Sequence, residues 1–232
     1  MTKPITQISL GMANIFIVRG QDGCILVDAG TPNSADDILS KLKVHGIAPN
    51  DIRLILITHG HIDHFGSAAA LREQTGAPVA VHTLDAGDLR QDTNPQDNPL
   101  QAGWLVRLLM RTPGLNKLFG PDNVPPCPPD IEFEGAETRL DEYGVAGRVI
   151  LTPGHTHGSV TLLTDSGEAI VGDAVMGKLM GMIRKPGPPI VAYDLEQNRQ
   201  SMRRLLDLSP HTIYVGHGGP FSAQKVAEFI RS

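Results

Sequence analysis

Arg53-Leu54-Ile55-Leu56-Ile57-Thr58, followed at once by His59-Gly60-His61-Ile62-Asp63-His64, is the stretch on which the reading of this chain turns. Its first half is a near-continuous apolar run, the pattern of a strand covered on both faces, as in sheets packed by helices. Its second half puts three imidazoles and a carboxylate within six residues. His59 and His61 lie two apart in a loop leaving the strand, so both rings can point to one side. Asp63 and His64 follow in the next turn, at the opening of a helix. Imidazole and carboxylate together are the borderline donor set that Zn²⁺ prefers. A merely solvated helix cap accounts poorly for three histidines at this spacing.

Working outward, short β-like runs precede this stretch at Ile5 to Leu10, Asn14 to Val18 and Cys24 to Val27, separated by Gly and Asp turns. A helix is predicted from Ser34 to His45, capped by Asn33 or Ser34. Downstream, Phe65 to Thr75 reads as a helix and Pro78 to His82 as a strand. Regular patterning resumes with strands at Val149 to Thr152, Val160 to Leu163 and Ala169 to Gly172. A helix at Asp194 to Leu208, capped by Asp194, a strand at Thr212 to Val215 and a closing helix at Ser222 to Arg231 complete the chain. Between these halves, residues 87 to about 130 are rich in Pro, Asn, Asp and Gln. Their one apolar stretch holds Trp104, Leu105, Leu108, Leu109 and Met110, and a short helix or two is expected there. No linker divides the chain, so one domain over residues 1–232 is expected, with 87–130 as a lid, an insertion or a dimer contact.

Three further segments carry residues that could join the histidine cluster. Thr152-Pro153-Gly154-His155-Thr156-His157-Gly158-Ser159 lies between two strands, and His155 is the expected third imidazole for a first metal. His157 suits a satisfied loop residue or a pocket wall better than a ligand. Val171-Gly172-Asp173 places a carboxylate at a strand end, an ordinary turn residue alone but a candidate bridge beside other ligands. In Val215-Gly216-His217-Gly218-Gly219, flanking glycines give the backbone freedom to aim His217 inward.

His59-Gly60-His61-Ile62-Asp63-His64 resembles the HxHxDH signature of the metallo-β-lactamase superfamily. His155, Asp173 and His217 fall in the order and contexts of its remaining ligands, and Leu26-Val27-Asp28-Ala29-Gly30 resembles its first motif. The resemblance runs from residue 13 to about 220. It implies an α+β fold, an αβ/βα sandwich of two mixed β-sheets face to face with helices on the outer faces. It also implies that His59, His61 and His155 hold one metal, that Asp63, His64 and His217 hold a second, and that Asp173 bridges them. Asp28 then supports the site from behind the ligands, and Asp63 orients the nucleophile and handles its proton. Two divalent ions are expected, Zn²⁺ first, with Fe or Mn as alternatives.

Departures from the family's branches narrow the activity. The best-known β-lactamase subclass carries a Cys ligand, and neither Cys24 nor Cys127 lies near a ligand motif. HxHxDH together with Asp173 resembles the glyoxalase II, lactonase and phosphodiesterase branches, although Met176 stands where the lactonases have Tyr. The expected activity is hydrolysis of an ester, thioester or lactone. β-Lactam hydrolysis, an iron-dependent persulfide-type oxygenase and a non-catalytic metal-binding effector remain alternatives. Met176, Leu179, Met180, Met182 and Ile183, with the apolar stretch after Trp104, suggest an adaptable pocket for an apolar acyl group.

Composition bounds the partners. Of 232 residues 41% are hydrophobic but only 4% aromatic, so the core must be aliphatic. A net charge of −5 without a basic block argues against nucleic acid. No apolar run approaches a membrane span, and Met1 to Gly11 lacks the pattern of a signal peptide. Two cysteines make no disulfide framework. A cytoplasmic protein with a small-molecule substrate and no membrane or nucleic-acid partner is expected, and a homodimer is left open.

Overall fold

Alternation along the strands sorts their side chains into three apolar layers, and those layers dictate the architecture. In the computed structural model, which describes residues 4–11, 13–91, 124–177 and 185–232, twelve strands form two six-stranded sheets. The first contains β1 (Ile5–Ser9), β2 (Asn14–Arg19), β3 (Cys24–Val27), β4 (Ile52–Leu56), β5 (Val79–His82) and β6 (Ile131–Phe133), side by side in chain order. The second contains β7 (Glu137–Arg139), β8 (Gly147–Leu151), β9 (Val160–Thr164), β10 (Glu168–Ile170), β11 (Thr212–Tyr214) and β12 (Phe221–Ser222). Both sheets are mixed. β1–β2–β3 are antiparallel and β3–β4–β5–β6 parallel, whereas the second sheet is antiparallel except for β10–β11.

Parallel neighbours need crossovers, and helices supply them. α1 (Ala35–Val44) joins β3 to β4, and α2 (Ile62–Phe65) with α3 (Ala68–Thr75) joins β4 to β5. Ile38, Leu42, Phe65 and Leu71 pack on one face of the first sheet, against Leu26, Ile55, Val79 and Val81. Phe16, Ile25, Val27, Leu54, Leu56 and Ala80 point the other way, onto Val149, Val160, Leu162, Ile170 and Tyr214 of the second sheet. Outside that sheet, Met202 and Leu205 of α5 (Leu195–Asp207) and Val226 and Ile230 of α6 (Ala223–Arg231) cover Leu163, Ala169 and Ile213. The result is an αβ/βα sandwich. At about 1.5–3 kcal/mol for each aliphatic side chain fully buried, these layers supply the main drive to fold.

Most predicted elements are present within a residue or two. The single helix expected at Phe65 to Thr75 is instead two, because Ser67 leaves helical geometry (φ −107°) between them, while the preceding Gly66 lies against Pro32 so closely that a Cβ there would meet the proline ring. Ser67 then donates to the Thr31 carbonyl (2.6 Å) and accepts from the Ser34 amide (2.8 Å). Ser34 holds the cap position of α1, but its hydroxyl pairs with Thr31 (2.9 Å) rather than with the helix. Asp194 caps α5 as expected, accepting from the amides of Glu196 and Gln197. β6, β7, β12 and the short α4 (Ala86–Leu89) had no strong pattern. Most of the expected lid, including Trp104, Leu105, Leu108, Leu109 and Met110, and the pocket residues Leu179, Met180, Met182 and Ile183, lie outside the described residues. Cys127 sits in a Pro-rich loop yet is fully buried, its amide bonded to the Leu89 carbonyl. No described helix is long and apolar enough to cross a membrane.

Candidate metal centre

Both sheets end at one rim, and the chemistry-bearing residues stand in the loops there. Asp28 follows β3, His59 follows β4, and α2 carries Asp63 and His64. From the second sheet come His155 in the β8–β9 loop, Asp173 in a single 3-10 turn after β10, and His217 after β11. The rims are laced together by Val160 donating to the Thr58 carbonyl (2.9 Å) and Asn14 donating to that of Gly216 (2.7 Å).

All seven residues expected to be ligands meet in one cluster. Their side-chain donors form three groups, within 4.8 Å in each: His59, His61 and His155; His59, His64 and Asp173; and Asp63, His64 and His217. His59 is central, its ring centroid 4.1 Å from that of His64 and 4.5 Å from that of His155. His61 Nδ1 and His155 Nε2 stand 3.1 Å apart. Two nitrogens on one tetrahedral Zn²⁺ would lie about 3.3 Å apart, given bonds of roughly 2.0–2.1 Å. Asp173 faces both remaining imidazoles, with Oδ2 3.1 Å from His217 Nε2 and Oδ1 3.4 Å from His64 Nε2. Asp63 Oδ2 lies 3.2 Å from His217 Nε2.

The rings of His59, His64 and His155 are anchored on the far side, which sets the side that faces the cluster. His155 Nδ1 donates to the Val191 carbonyl (2.8 Å), leaving Nε2 with its lone pair. Thr58 Oγ1 donates to Asp28 Oδ2 (3.0 Å) and therefore accepts from His59 Nδ1 (3.0 Å). Asp28 Oδ2 also accepts from His64 Nδ1 (2.8 Å), and Oδ1 from the Thr58 amide (2.8 Å). Asp28 is wholly buried, so it acts through Thr58 and His64. Its φ of 64° is one that side chains rarely adopt and that Asp tolerates better than most.

Unpartnered atoms complete the test of fit. His59 Nε2 is buried without a hydrogen-bond partner, and the buried His64 Nε2 and Asp173 Oδ1 have only their 3.4 Å contact with each other. Such groups are costly unless something binds them, and a cation among these donors would satisfy all three. The electrostatics of the metal-free chain agree. Burial, then neighbouring imidazoles, hold His59 and His155 below the usual histidine range, His155 at about 4. Burial lowers His61 as well, partly offset by Asp63 and Asp173. These three are neutral donors at neutral pH. At the other end burial opposes charge on His64 and His217, but their carboxylates outweigh it: Asp28 and Asp173 raise His64, and Asp173 and Asp63 take His217 to about 10. Reciprocally, although burial opposes ionisation, His64 and His217 hold Asp63 at about 2 and keep Asp173 low. The residues fit a divalent cation.

Sequence patterning singled out neither Asn14 nor Asp85, and it gave Gly216 conformational freedom as its role. Asn14 donates through Nδ2 to the carbonyls of Val215 and Gly218 (both 2.9 Å), pinning the His217 loop from across the sandwich. Gly216 is required for space rather than for φ, since a Cβ there would meet Asp173 Oδ1 and His64. Asp85, 2% exposed, bonds to both histidine loops. The exposed His157 belongs to none of the three donor groups; its ring stacks on Tyr193, centroids 3.6 Å apart.

The match to known proteins agrees with this geometry. The family model of the metallo-β-lactamase superfamily matches residues 8–217. The chain belongs to that superfamily. It is 29% identical to the probable metallo-hydrolase YflN of Bacillus subtilis, over 96% of this chain and 86% of that protein. It is 33% identical to a hydroxyacylglutathione hydrolase of Anaeromyxobacter dehalogenans, over 75% of this chain but half of that enzyme. The crystal structure of TTHA1623 in a di-iron-bound form shares the fold, with a TM-score of 0.65, 23% identity and 98% of each chain covered. Membership makes the chain a metallo-hydrolase homologue whose His/Asp cluster suits divalent metal.

One neighbour of the cluster has a measurable pH signature. Asp88 packs its Oδ2 where a Cβ on Gly60 would be, and burial, with Asp85 beside it, pushes its carboxyl up to about 7. A carboxyl raised in the folded state keeps its proton where the unfolded chain has lost it. Stability is therefore lost between about pH 4 and about pH 7, and the cost is complete above that range. Asp88→Asn is expected to remove this loss, so its Tm relative to wild type should climb across that window. A difference that stays flat with pH would show that Asp88 is not strained by ionisation.

Proposed function

We propose that this chain is a dinuclear metal-dependent hydrolase of a carbonyl substrate, an ester, thioester or lactone. The observation that carries the reading is a pair of donor groups joined by a third: His59, His61 and His155 form one, Asp63, His64 and His217 the other, and His59, His64 and Asp173 share a histidine with each. Two divalent ions held there, Zn²⁺ first among the candidates, would supply Lewis acidity toward a carbonyl and bring the pKa of a water to roughly 7. The protein's own residues do the rest. His61, Asp63 and His217 are the only partly buried members of the set, so they border the face that substrate reaches. Asp63, its side chain 24% exposed, is placed to orient a water and take its proton. Asp28 and Thr58 keep His59 and His64 turned to the cluster, and no serine or cysteine nucleophile is needed.

Support for a thioester comes from the hydroxyacylglutathione hydrolase relative, and for an apolar acyl group from the Met-rich and Leu-rich segments. A buried methylene contributes about 0.8 kcal/mol, a few-fold in affinity. Assay of the zinc-loaded protein against acyl thioesters of increasing length, lactones, phosphodiesters and cephalosporins is expected to give highest kcat/KM on thioesters or lactones, rising with acyl length, and none after chelation. A tenfold preference for phosphodiesters or cephalosporins would replace the carbonyl-ester reading. One iron per chain, with oxygen uptake on a persulfide, would replace hydrolysis altogether.

A further inference from the structure

We propose that Asp85 is a positioning residue for the metal centre, its buried carboxylate clamping together the two loops that carry His59, His61 and His155. It stands at the start of α4, outside every motif that resembles the family's, and touches none of the ligands. Its Oδ2 accepts from the amide of Gly60 (3.0 Å), the peptide between His59 and His61, and from the hydroxyl of Thr156 (2.6 Å), the residue after His155. Its Oδ1 accepts from the amide of Gly158 (2.6 Å). One side chain thus takes three donors from two loops that belong to different sheets.

The surroundings are built for this contact. A Cβ on Gly158 would lie 2.6 Å from Asp85 Oδ1 and 2.7 Å from the Asp85 amide, so only glycine lets the β8–β9 loop come this close. Because the Thr156 hydroxyl gives its proton to Asp85, that of Ser159 donates to it (2.6 Å), while Ser159 Oγ accepts from the Thr156 amide (3.0 Å). Hydrogen bonds to an ionised acceptor are about twice as strong as neutral ones, and a 2%-exposed carboxylate has no water to exchange them for. The 3.1 Å approach of His61 Nδ1 to His155 Nε2 is a distance between these same two loops. The clamp therefore sets the bite of the first ligand group, whereas His64 and the His217 loop take their bonds from Asp28 and Asn14 and none from Asp85.

The inference rests on the two-ion reading above, and zinc binding rather than turnover tests it. Wild type, Asp85→Asn, Thr156→Val and Thr156→Ser are titrated with Zn²⁺ against a chromophoric chelator, and with Co²⁺ by visible absorption. His155→Ala and His217→Ala assign each binding step to its ligand group. Asp85→Asn keeps the shape but turns an amide toward an N–H donor, and outer partners of this kind are worth about 10–100-fold in metal affinity. The expected result is a loss of that order at the His59/His61/His155 step with an altered Co²⁺ spectrum, and less than a threefold change at the other. Thr156→Val should lose part of the affinity and Thr156→Ser should retain it. If Asp85→Asn does not fold, the threonine pair decides. Wild-type affinity at the first step in folded variants, or equal losses at both steps, overturns the clamp. Wild-type protein that takes up no zinc overturns the metal reading itself, and the clamp with it.

Discussion

Asp173→Ala is expected to leave the sandwich folded, to halve the metal content and to lower kcat/KM by about three orders of magnitude. The carboxylate is 5% exposed and stands between His64 and His217, one oxygen toward each. The carboxylate lies against His64, His217 and Gly216, so alanine opens little apolar cavity. On the two-ion reading proposed above, what is lost is the anion that both ions would share. A metal site commonly contributes several kcal/mol of transition-state stabilisation, and about 4 kcal/mol corresponds to the thousandfold loss expected. The metal-free variant gives a second reading: without Asp173, the first of the charges raising it, His217 should titrate below its value of about 10. Elemental analysis and histidine NMR measure the two effects. Full metal content in the variant would mean that Asp173 joins no ions.

Asp28→Ala is expected to be the most destabilising single change at the site, at about 3–5 kcal/mol, the usual cost of stripping one partner from a buried ion pair. His64 Nδ1, the Thr58 amide and the Thr58 hydroxyl would all lose their acceptor inside the protein. His64, raised by Asp28 together with Asp173 and Asp63, would be raised less. Asparagine tolerates the positive φ and retains one oxygen, so Asp28→Asn should cost less stability while still weakening metal binding. Urea unfolding of chelated protein separates the two. A loss below about 1 kcal/mol for Asp28→Ala would show that the surroundings reorganise to satisfy His64.

The parts of this molecule legible in the sequence are those whose signal is local. β4 reads as a doubly covered strand because Leu54, Ile55 and Leu56 are all buried, alternately toward the helices and toward the second sheet. The donor residues stand out because histidine is scarce and clustered. What stayed hidden depends on contacts made across the fold. Asn14 meets its carbonyl partners about two hundred positions away, and a strand-edge asparagine carries no mark of that. Asp85 is a single acid after a strand, indistinguishable by type from any helix cap. The helix expected from Phe65 to Thr75 breaks at Ser67, whose bonds to Thr31 and Ser34 come from a loop more than thirty positions earlier.

The division of donors between the sheets has a consequence for biogenesis. His59, His61, Asp63 and His64 emerge in the first half of the chain, but every donor group that includes His155, Asp173 or His217 waits for strands made much later. A nascent chain that has emerged only through β5 displays a four-residue motif with no counterpart to close on. Tight ion capture thus requires that the second sheet has docked, which makes cation occupancy a reporter of finished assembly. The ion, once seated between the rims, acts as a rivet: by mass action its free concentration adds to the work needed to pull the two halves apart.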